Sequence, residues 1–452
     1  MQTIEQYKYL KFSSLANTVF WDFYSLSNRN TITSRFPIVK LENVLKQRKG
    51  FILINDCQRY KLCRVQIQGR GVVLRDNLLG KEIKTKKQQV CKSNDFLVAE
   101  IDAKVGGFGI IPMELENAIV SGHYFLFEID NSILLPEFLG IVVKQTNFLK
   151  QVKSTGSTNY SAIRPYHVLE YQIPLPTIAE QNKIVDNYNR QIREAEQLEQ
   201  QVYNLEGEIE KYLFEELGSK ITINSAKSSL LQFIQFEDTN RWDTLFILGK
   251  IPTLHSKFKI SKFSDVIKFF NKDNNNKSIR VESSKYPNEE FRYIGMEHIE
   301  KETGRLLDMP IVKGKEIKSQ TIRIPKDFIL YGKLRPYLNK YWINQTNFDN
   351  IICSSEFFVF DIDDQINKSF FKQVMSSKII QDQIADKTSG ARMPRINEDI
   401  FFDLNLPLPP REIQDAIAEN IEFQKNKIES FKSKAIDIKL EAEQEFEQAI
   451  FK

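Results

Sequence analysis

Gly80-Lys81-Glu82-Ile83-Lys84 returns letter for letter as Gly314-Lys315-Glu316-Ile317-Lys318, and this repetition decides the reading of the chain. Working outward from it, Asp95-Phe96-Leu97 rhymes with Asp327-Phe328-Ile329. Phe125-Leu126-Phe127-Glu128-Ile129-Asp130 rhymes with Phe358-Val359-Phe360-Asp361-Ile362-Asp363. Pro174-Leu175-Pro176 is answered by Pro407-Leu408-Pro409, and Trp21-Asp22 ahead of the first copy by Trp242-Asp243 ahead of the second. A unit of this length is too long for a solenoid repeat and about right for a domain. The chain therefore predicts two related domains doing one kind of job at two places.

A helical pattern follows each Pro-Leu-Pro. Proline fixes an extended approach and cannot donate an amide inside a helix, so the tripeptide works as a rigid hinge before a helix start. After the first hinge, apolar residues fall at Val185, Tyr188, Ile192, Ala195, Leu198, Val202, Leu205, Ile209 and Tyr212, steps of three and four that approach a coiled-coil seam. Gly218 is a natural stop. The second copy repeats the stripe with Ile417, Ile421, Ile428, Phe431, Ala435, Ile438, Ala442 and Phe446, interrupted by polar Gln424. Each helix would run on the order of 60 Å at 1.5 Å per residue. A single apolar stripe needs a partner: the other copy, its own domain or another chain. The order head, helix, head, helix favours an antiparallel pair within the chain.

Between hinges the text reads as short mixed elements without a βαβ rhythm, which predicts α+β. The expected domains are residues 1–176 (first head), 177–222 (central spacer helix), 223–409 (second head) and 410–452 (C-terminal spacer helix), related by a pseudo-two-fold. No stretch reaches the apolar length of a membrane span. Met1 to Gln6 lacks the order of a signal peptide, so a cytoplasmic protein with reduced thiols at Cys57, Cys63, Cys91 and Cys353 is expected.

The net charge is only +4, but it is unevenly placed. Lys46 to Lys104 holds 14 Lys/Arg against 6 Asp/Glu, and Lys257 to Trp342 holds 19 against 11. Ile178 to Leu217 is the reverse, with 4 against 10, as is Arg411 to Lys452, with 7 against 10. Basic heads on acidic struts are the pattern of two polyanion-binding modules.

Catalytic chemistry is sparse. His123, His167, His255 and His298 have no metal-ligand spacing, no Walker loop occurs, and Gly107-Phe108-Gly109 lacks the context of a cofactor loop. The Asn/Asp-Pro-Pro-aromatic tetrad of an amino-methyltransferase is absent. Glu82-Ile83-Lys84 resembles the end of a nuclease centre, without the upstream acidic partner.

Binding chemistry remains. Arg59, Lys61, Arg64, Arg70 and Arg75, then Lys84, Lys86 and Lys87, form the first basic cluster. In the second half Arg292 and Tyr293 precede Lys333, Arg335, Tyr337 and Lys340. Arginine suits guanine edges and lysine suits phosphates. Ahead of the hinges, Ser157, Thr158, Asn159 and Tyr160 are mirrored by a segment carrying Arg392 and Arg395. Small residues there would let a backbone approach a phosphate closely.

These residues make the chain resemble the DNA-specificity subunits of type I restriction–modification systems. The resemblance rests on Tyr293-Ile294-Gly295-Met296-Glu297-His298-Ile299, Lys333-Leu334-Arg335-Pro336-Tyr337-Leu338, Cys353-Ser354-Ser355-Glu356-Phe357 and Gly156-Ser157-Thr158-Asn159. Ile173-Pro174-Leu175-Pro176 leading to Ala179-Glu180-Gln181 completes it. Two departures stand out. The second hinge reads Pro409-Pro410-Arg411-Glu412-Ile413-Gln414 where the family has adjacent Glu-Gln, and the first half has Ala99-Glu100-Ile101-Asp102-Ala103-Lys104 in place of Leu-Arg-Pro-Tyr.

The resemblance implies two target recognition domains, each reading half of a split site in double-stranded DNA, with the helices as spacer. It implies no catalysis and no cofactor in this chain. S-adenosylmethionine, ATP and Mg would sit on partners: two modification (methyltransferase) subunits docking on the helices, and restriction (translocase/endonuclease) subunits. The competing reading is a non-catalytic coiled-coil scaffold with two protein-binding heads; a nuclease using Glu82 and Lys84 is the enzymatic one.

Overall fold

A computed structural model describes residues 32–152, 162–223, 252–385, 387 and 393–451. The chain divides into two compact units, residues 1–199 with 433–452, and residues 200–432. Each is α+β.

In the first unit, Leu45–Arg48, Tyr124–Ile129, Phe96–Ala99 and Phe108–Ile110 form, in that spatial order, a four-stranded antiparallel sheet. Phe51–Leu53, Lys87–Val90, Ile119–Val120, Arg59–Val65 and Val72–Leu79 form a five-stranded one, in which Arg59–Val65 and Ile119–Val120 run parallel. Ile38–Lys40 pairs with Gln172–Pro174, so the first and last strands of the head are neighbours.

The second unit repeats this strand for strand. Ile267–Phe270, Phe357–Ile362, Ile329–Gly332 and Tyr341–Ile343 give the four-stranded sheet. Arg280–Val281, Thr321–Arg323, Ile351–Ser354, Glu290–Ile294 and Ile311–Lys313 give the five-stranded one, again with one parallel pair. Lys259–Lys262 with Asn405–Leu408 closes it. Among the described residues the eleven strands of each head follow one another in the same spatial order. The internal repeat in the sequence is a duplicated topology.

Backbone geometry refines the sequence rhyme. Asn94 and Asp327 both sit at positive φ (66° and 64°) just before Phe96–Ala99 and Ile329–Gly332. Their amides donate to Ile111 and Asn344 respectively. The equivalent of Asp327 is therefore Asn94, one residue earlier than the letters indicate. Asn and Asp tolerate the left-handed region better than most residues, which explains either at this turn.

The copied Gly-Lys-Glu-Ile is a packing device. A Cβ on Gly80 would lie 1.9 Å from the Asn55 carbonyl oxygen, and one on Gly314 would lie 2.2 Å from that of Tyr286. Glycine lets a short 3₁₀ turn press on the preceding loop. Glu82 accepts a 2.8 Å hydrogen bond from the Leu79 amide, a structural role in place of the nuclease reading.

The cores are aromatic. Phe401 is the hub of the second unit, with ring centroids 4.6 Å from Phe358, 5.2 Å from Phe263 and 5.5 Å from Tyr331. In the first unit Phe148 meets Phe108 and Tyr171 edge-on at 5.7 and 5.8 Å. Burying one such ring stabilises by about 2–3 kcal/mol.

Helix α1 spans Ile178–Leu217 and helix α2 spans Arg411–Phe451, each entered from its Pro-Leu-Pro. Within the first unit they run antiparallel: Glu199 pairs with Lys439 at 2.7 Å and Asn187 with Glu445 at 3.1 Å. Within the second, Glu206 pairs with Lys432 at 3.0 Å. These pairs are half-exposed and add little stability, but they fix register. The apolar stripe has two uses. Ala195, Leu198, Ala435 and Ala442 are buried along the helices, while Val185 and Phe446 belong to the first head's core and Leu213, Leu217 and Ile417 to the second's.

The hinge is held by a buried glutamine. Gln181 accepts from the Leu135 amide and donates to the carbonyls of Ile133 and Pro176. Gln414 accepts from Asn367 and donates to Pro409. The departure at the second hinge thus keeps the functional amide. What changes is the start: Glu180 makes a reciprocal cap with Thr177, and Pro410 takes the threonine's side of the hinge.

Candidate nucleic-acid interface

The second head gathers most of its candidate residues around one loop. Strand Ile329–Gly332 ends at Lys333, and the chain turns through a 3₁₀ segment at Pro336–Leu338 flanked by Arg335 (φ 48°) and Asn339 (φ 47°). Two left-handed non-glycine residues four positions apart store strain, so neighbours must hold them. Asn339 is buried: its amide group donates to the Ser376 carbonyl and its oxygen accepts from Gln381. The Arg335 amide donates to the Pro394 carbonyl, and Leu334 bridges Arg395. The Lys-Leu-Arg-Pro-Tyr and Met-Pro-Arg segments, far apart in sequence, are one structure.

Electrostatics lock the base of the loop. Arg395 grips Glu356 bidentately, at 3.0 and 2.8 Å, and holds its carboxyl below the usual range. Lys333 donates to the Ser355 carbonyl at 2.9 Å and lies 4.8 Å from the Phe358 ring; burial pushes its amine down. Lys340 donates to the Met296 carbonyl at 2.6 Å, joining the Gly295–His298 turn to the loop. Lys333, Lys340 and Arg395 are therefore bound within the protein. Arg335 and Tyr337 stand exposed at the tip, Tyr337 at 59%. Arg292 lies apart on the five-stranded sheet, its guanidinium 4.0 Å from the Phe348 ring; Tyr293, beside it on the strand, packs edge-on to His298.

The first head builds the same loop with other charges. Register places Ala99 with Gly332, Phe108 with Tyr341, and left-handed Gly106 with Asn339. Ile163 donates its amide to Glu100 just as Ile396 donates to Lys333. Glu100 takes the place of Lys333 and is bound by Arg164 at 2.8 Å and His123 at 2.9 Å. The polarity at the loop base is inverted between heads. Asp102 stands exposed where the second head has Arg335.

The first head's basic cluster is dispersed. Arg59 and Lys61 share one face of their strand and Arg64 takes the other, as strict alternation requires. Lys61 donates to the Glu114 carbonyl and Arg59 to that of Asn77. Arg70 bonds Gln68, Arg75 pairs with Asp76, and Lys86 pairs with Asp56. Lys87 lies over Phe51, and Lys84 is exposed. Ser157, Thr158, Asn159, Tyr160 and Arg392 lie outside the described residues, as do Trp21-Asp22 and Trp242-Asp243. Sequence reading missed Glu356 and Glu100 as organisers; an acidic residue next to a basic motif was the available signal.

Among the described residues no His, Cys, Asp and Glu group could hold a metal ion, and no helix is long and apolar enough to cross a membrane.

Known proteins match this architecture. Among curated relatives, the Escherichia coli type I restriction enzyme EcoDI specificity subunit is 22% identical over 313 residues, covering 66% of this chain and 64% of that protein. The Haemophilus influenzae HindI specificity subunit is 24% identical over 170 residues, 37% of this chain and 34% of that protein. The matches thus span less than two thirds of these relatives' own length. A chain solved in work on complex assembly and conformational transition of the type I R-M system shares the fold, with a TM-score of 0.53 at 14% identity. That likeness covers 92% of this chain and 96% of the other. The family described as type I restriction modification DNA specificity domain matches twice, over residues 33–225 and 255–440. With two copies of its domain accounting for most of its length, the chain belongs to the type I restriction modification DNA specificity family.

Proposed function

We propose that this chain is the non-catalytic recognition subunit of a type I restriction–modification assembly and reads a bipartite site in double-stranded DNA, one half per head. The observation that carries the reading is the strand-for-strand duplication of a family-type recognition domain, with different charges at the equivalent loop. Two copies of one scaffold bearing different surface chemistry suit two unlike half-sites. Modification subunits would supply S-adenosylmethionine-dependent methylation, and restriction subunits the ATP- and Mg-dependent cleavage.

Methylome sequencing of the host, with and without this gene, tests the reading directly. A split methylated motif that disappears with the gene is the expected result; no change in methylation would overturn it. Exchanging residues 1–176 for another subunit's first head should alter one half of the motif only. Simultaneous change of both halves would refute one reader per half-site. DNA affinity indifferent to sequence and lost in moderate salt would favour the protein-binding scaffold.

A further inference from the structure

A cavity of about 750 Å³ opens inside the second unit, beside helix α2 and the helix Lys368–Ser376. Its walls carry charge of both signs, but most of that charge is already matched. Glu206 pairs with Lys432 and Glu422 with Lys372, while Arg305 lies between Glu300 and Glu429. Glu210 accepts from the Lys378 amide, and burial raises its carboxyl above the usual range, which disfavours its charged form. Asp382 on the same wall is exposed to solvent.

Two adjacent donors stand out. The Lys425 ammonium donates to the Gln373 side-chain oxygen at 2.6 Å and has no carboxylate within ion-pair distance among the described residues. Gln373 is only 3% exposed, and its Nε2 has no hydrogen-bond partner. A buried N–H without an acceptor is destabilising, and the half-buried Lys425 feels the carboxylates of Glu422 and Glu210 without forming an ion pair with either. Burial, reinforced by neighbouring Lys372, pushes the Lys425 amine down to about 8. A cation bonded to the amide's oxygen and an amide N–H that lacks an acceptor, side by side in a cavity, are complementary to an oxyanion.

We propose that the second unit binds a phosphoryl oxyanion in this cavity, through the Lys425 ammonium and the Gln373 side-chain amide. The ligand is either free phosphate or a phosphate monoester; Ile209, Leu213 and Ile421 line the same space and could cover the apolar part of an ester. The volume falls within the range of small-molecule sites. Tyr337 and Asn339 of the candidate DNA loop line part of the same space, but the groups assigned to the oxyanion are Lys425 and Gln373 alone, so loss of phosphate binding would not by itself refute the DNA reading.

The test uses the full chain. Melting temperature and calorimetric titration are measured with inorganic phosphate and with adenosine monophosphate, against chloride at matched ionic strength. The wild type should gain several degrees and titrate one to one. Lys425→Met removes the charge but strands the Gln373 oxygen, so its melting temperature in chloride is the baseline for its own titration, and it should lose about tenfold or more in phosphate affinity. Gln373→Glu supplies the negative charge from within the protein; it should raise the melting temperature and abolish the phosphate response. Tighter binding of the monophosphate than of phosphate identifies an ester, and equal binding identifies the free ion. An equal response in wild type and both variants, or none in wild type, overturns the proposal.

Discussion

Gln181 and Gln414 do one job in two places: each accepts a backbone amide from its head and returns a hydrogen bond to the last proline of its hinge. Both are buried, at 0% and 3% exposure. The junction of head and helix is thus specified by a side chain whose two ends face different elements.

Gln181→Leu keeps the volume and orphans Leu135 N–H and the carbonyls of Ile133 and Pro176. A loss of about 2–3 kcal/mol is expected in chemical denaturation. Gln414→Leu should cost somewhat less, since fewer partners are stranded. A neutral result for both would remove the hinge clamp from the account.

The Arg395–Glu356 pair should make the second head acid-sensitive. Arg395 lowers the Glu356 carboxyl below its ordinary value, so the contribution is present above the unfolded carboxyl's range and is lost as pH falls through the folded value. Glu356→Gln should destabilise by about 1 kcal/mol near neutrality, given partial exposure, and by nothing measurable at low pH. Melting curves of both proteins across pH 3–7 should converge on the acid side.

Gly80→Ala and Gly314→Ala should each cost about 3 kcal/mol or more, because the added carbon meets a carbonyl oxygen at 1.9 or 2.2 Å. The φ of neither glycine lies in the left-handed region, so the penalty is steric and tests the close approach itself. Soluble expression and melting temperature give the readout.

Arg335→Ala should weaken DNA binding across sequences and lower the salt slope by about one if the guanidinium meets a phosphate. Since Arg335 is exposed, stability should hold. A relaxed preference at a single base with an unchanged slope would instead mark a base contact. No effect on either would take the loop tip out of the interface.

Phe401→Ala should cost about 3–5 kcal/mol, because its ring touches several others at the centre of the second core. Denaturant titration of the full chain should show the loss in one transition, with any second transition unmoved.

Much of this was legible in the letters. The repeat, the hinges and both apolar stripes survive, because periodicity and proline chemistry act locally. The reason for Gly80 and Gly314 was not legible, since the loop each presses on lies well upstream in the sequence and meets it only in the folded head. Gln414 was hidden because Ile413 separates it from Glu412 and breaks the expected Glu-Gln pair. The cations from Arg59 to Arg75 look like one patch in a line of text. Strand alternation and local partners such as Asp76 and Glu114 pull that patch apart. In contrast, Leu334 and Arg395 became neighbours only through tertiary pairing.

Each head begins and ends in strands that lie side by side, Ile38–Lys40 against Gln172–Pro174 and Lys259–Lys262 against Asn405–Leu408. A tensile load applied to the flanking chain would open these clasps like a peeled seam, one backbone pair at a time. The larger sheets would feel no shear until the clasp had parted, so the head should come loose whole before it unravels.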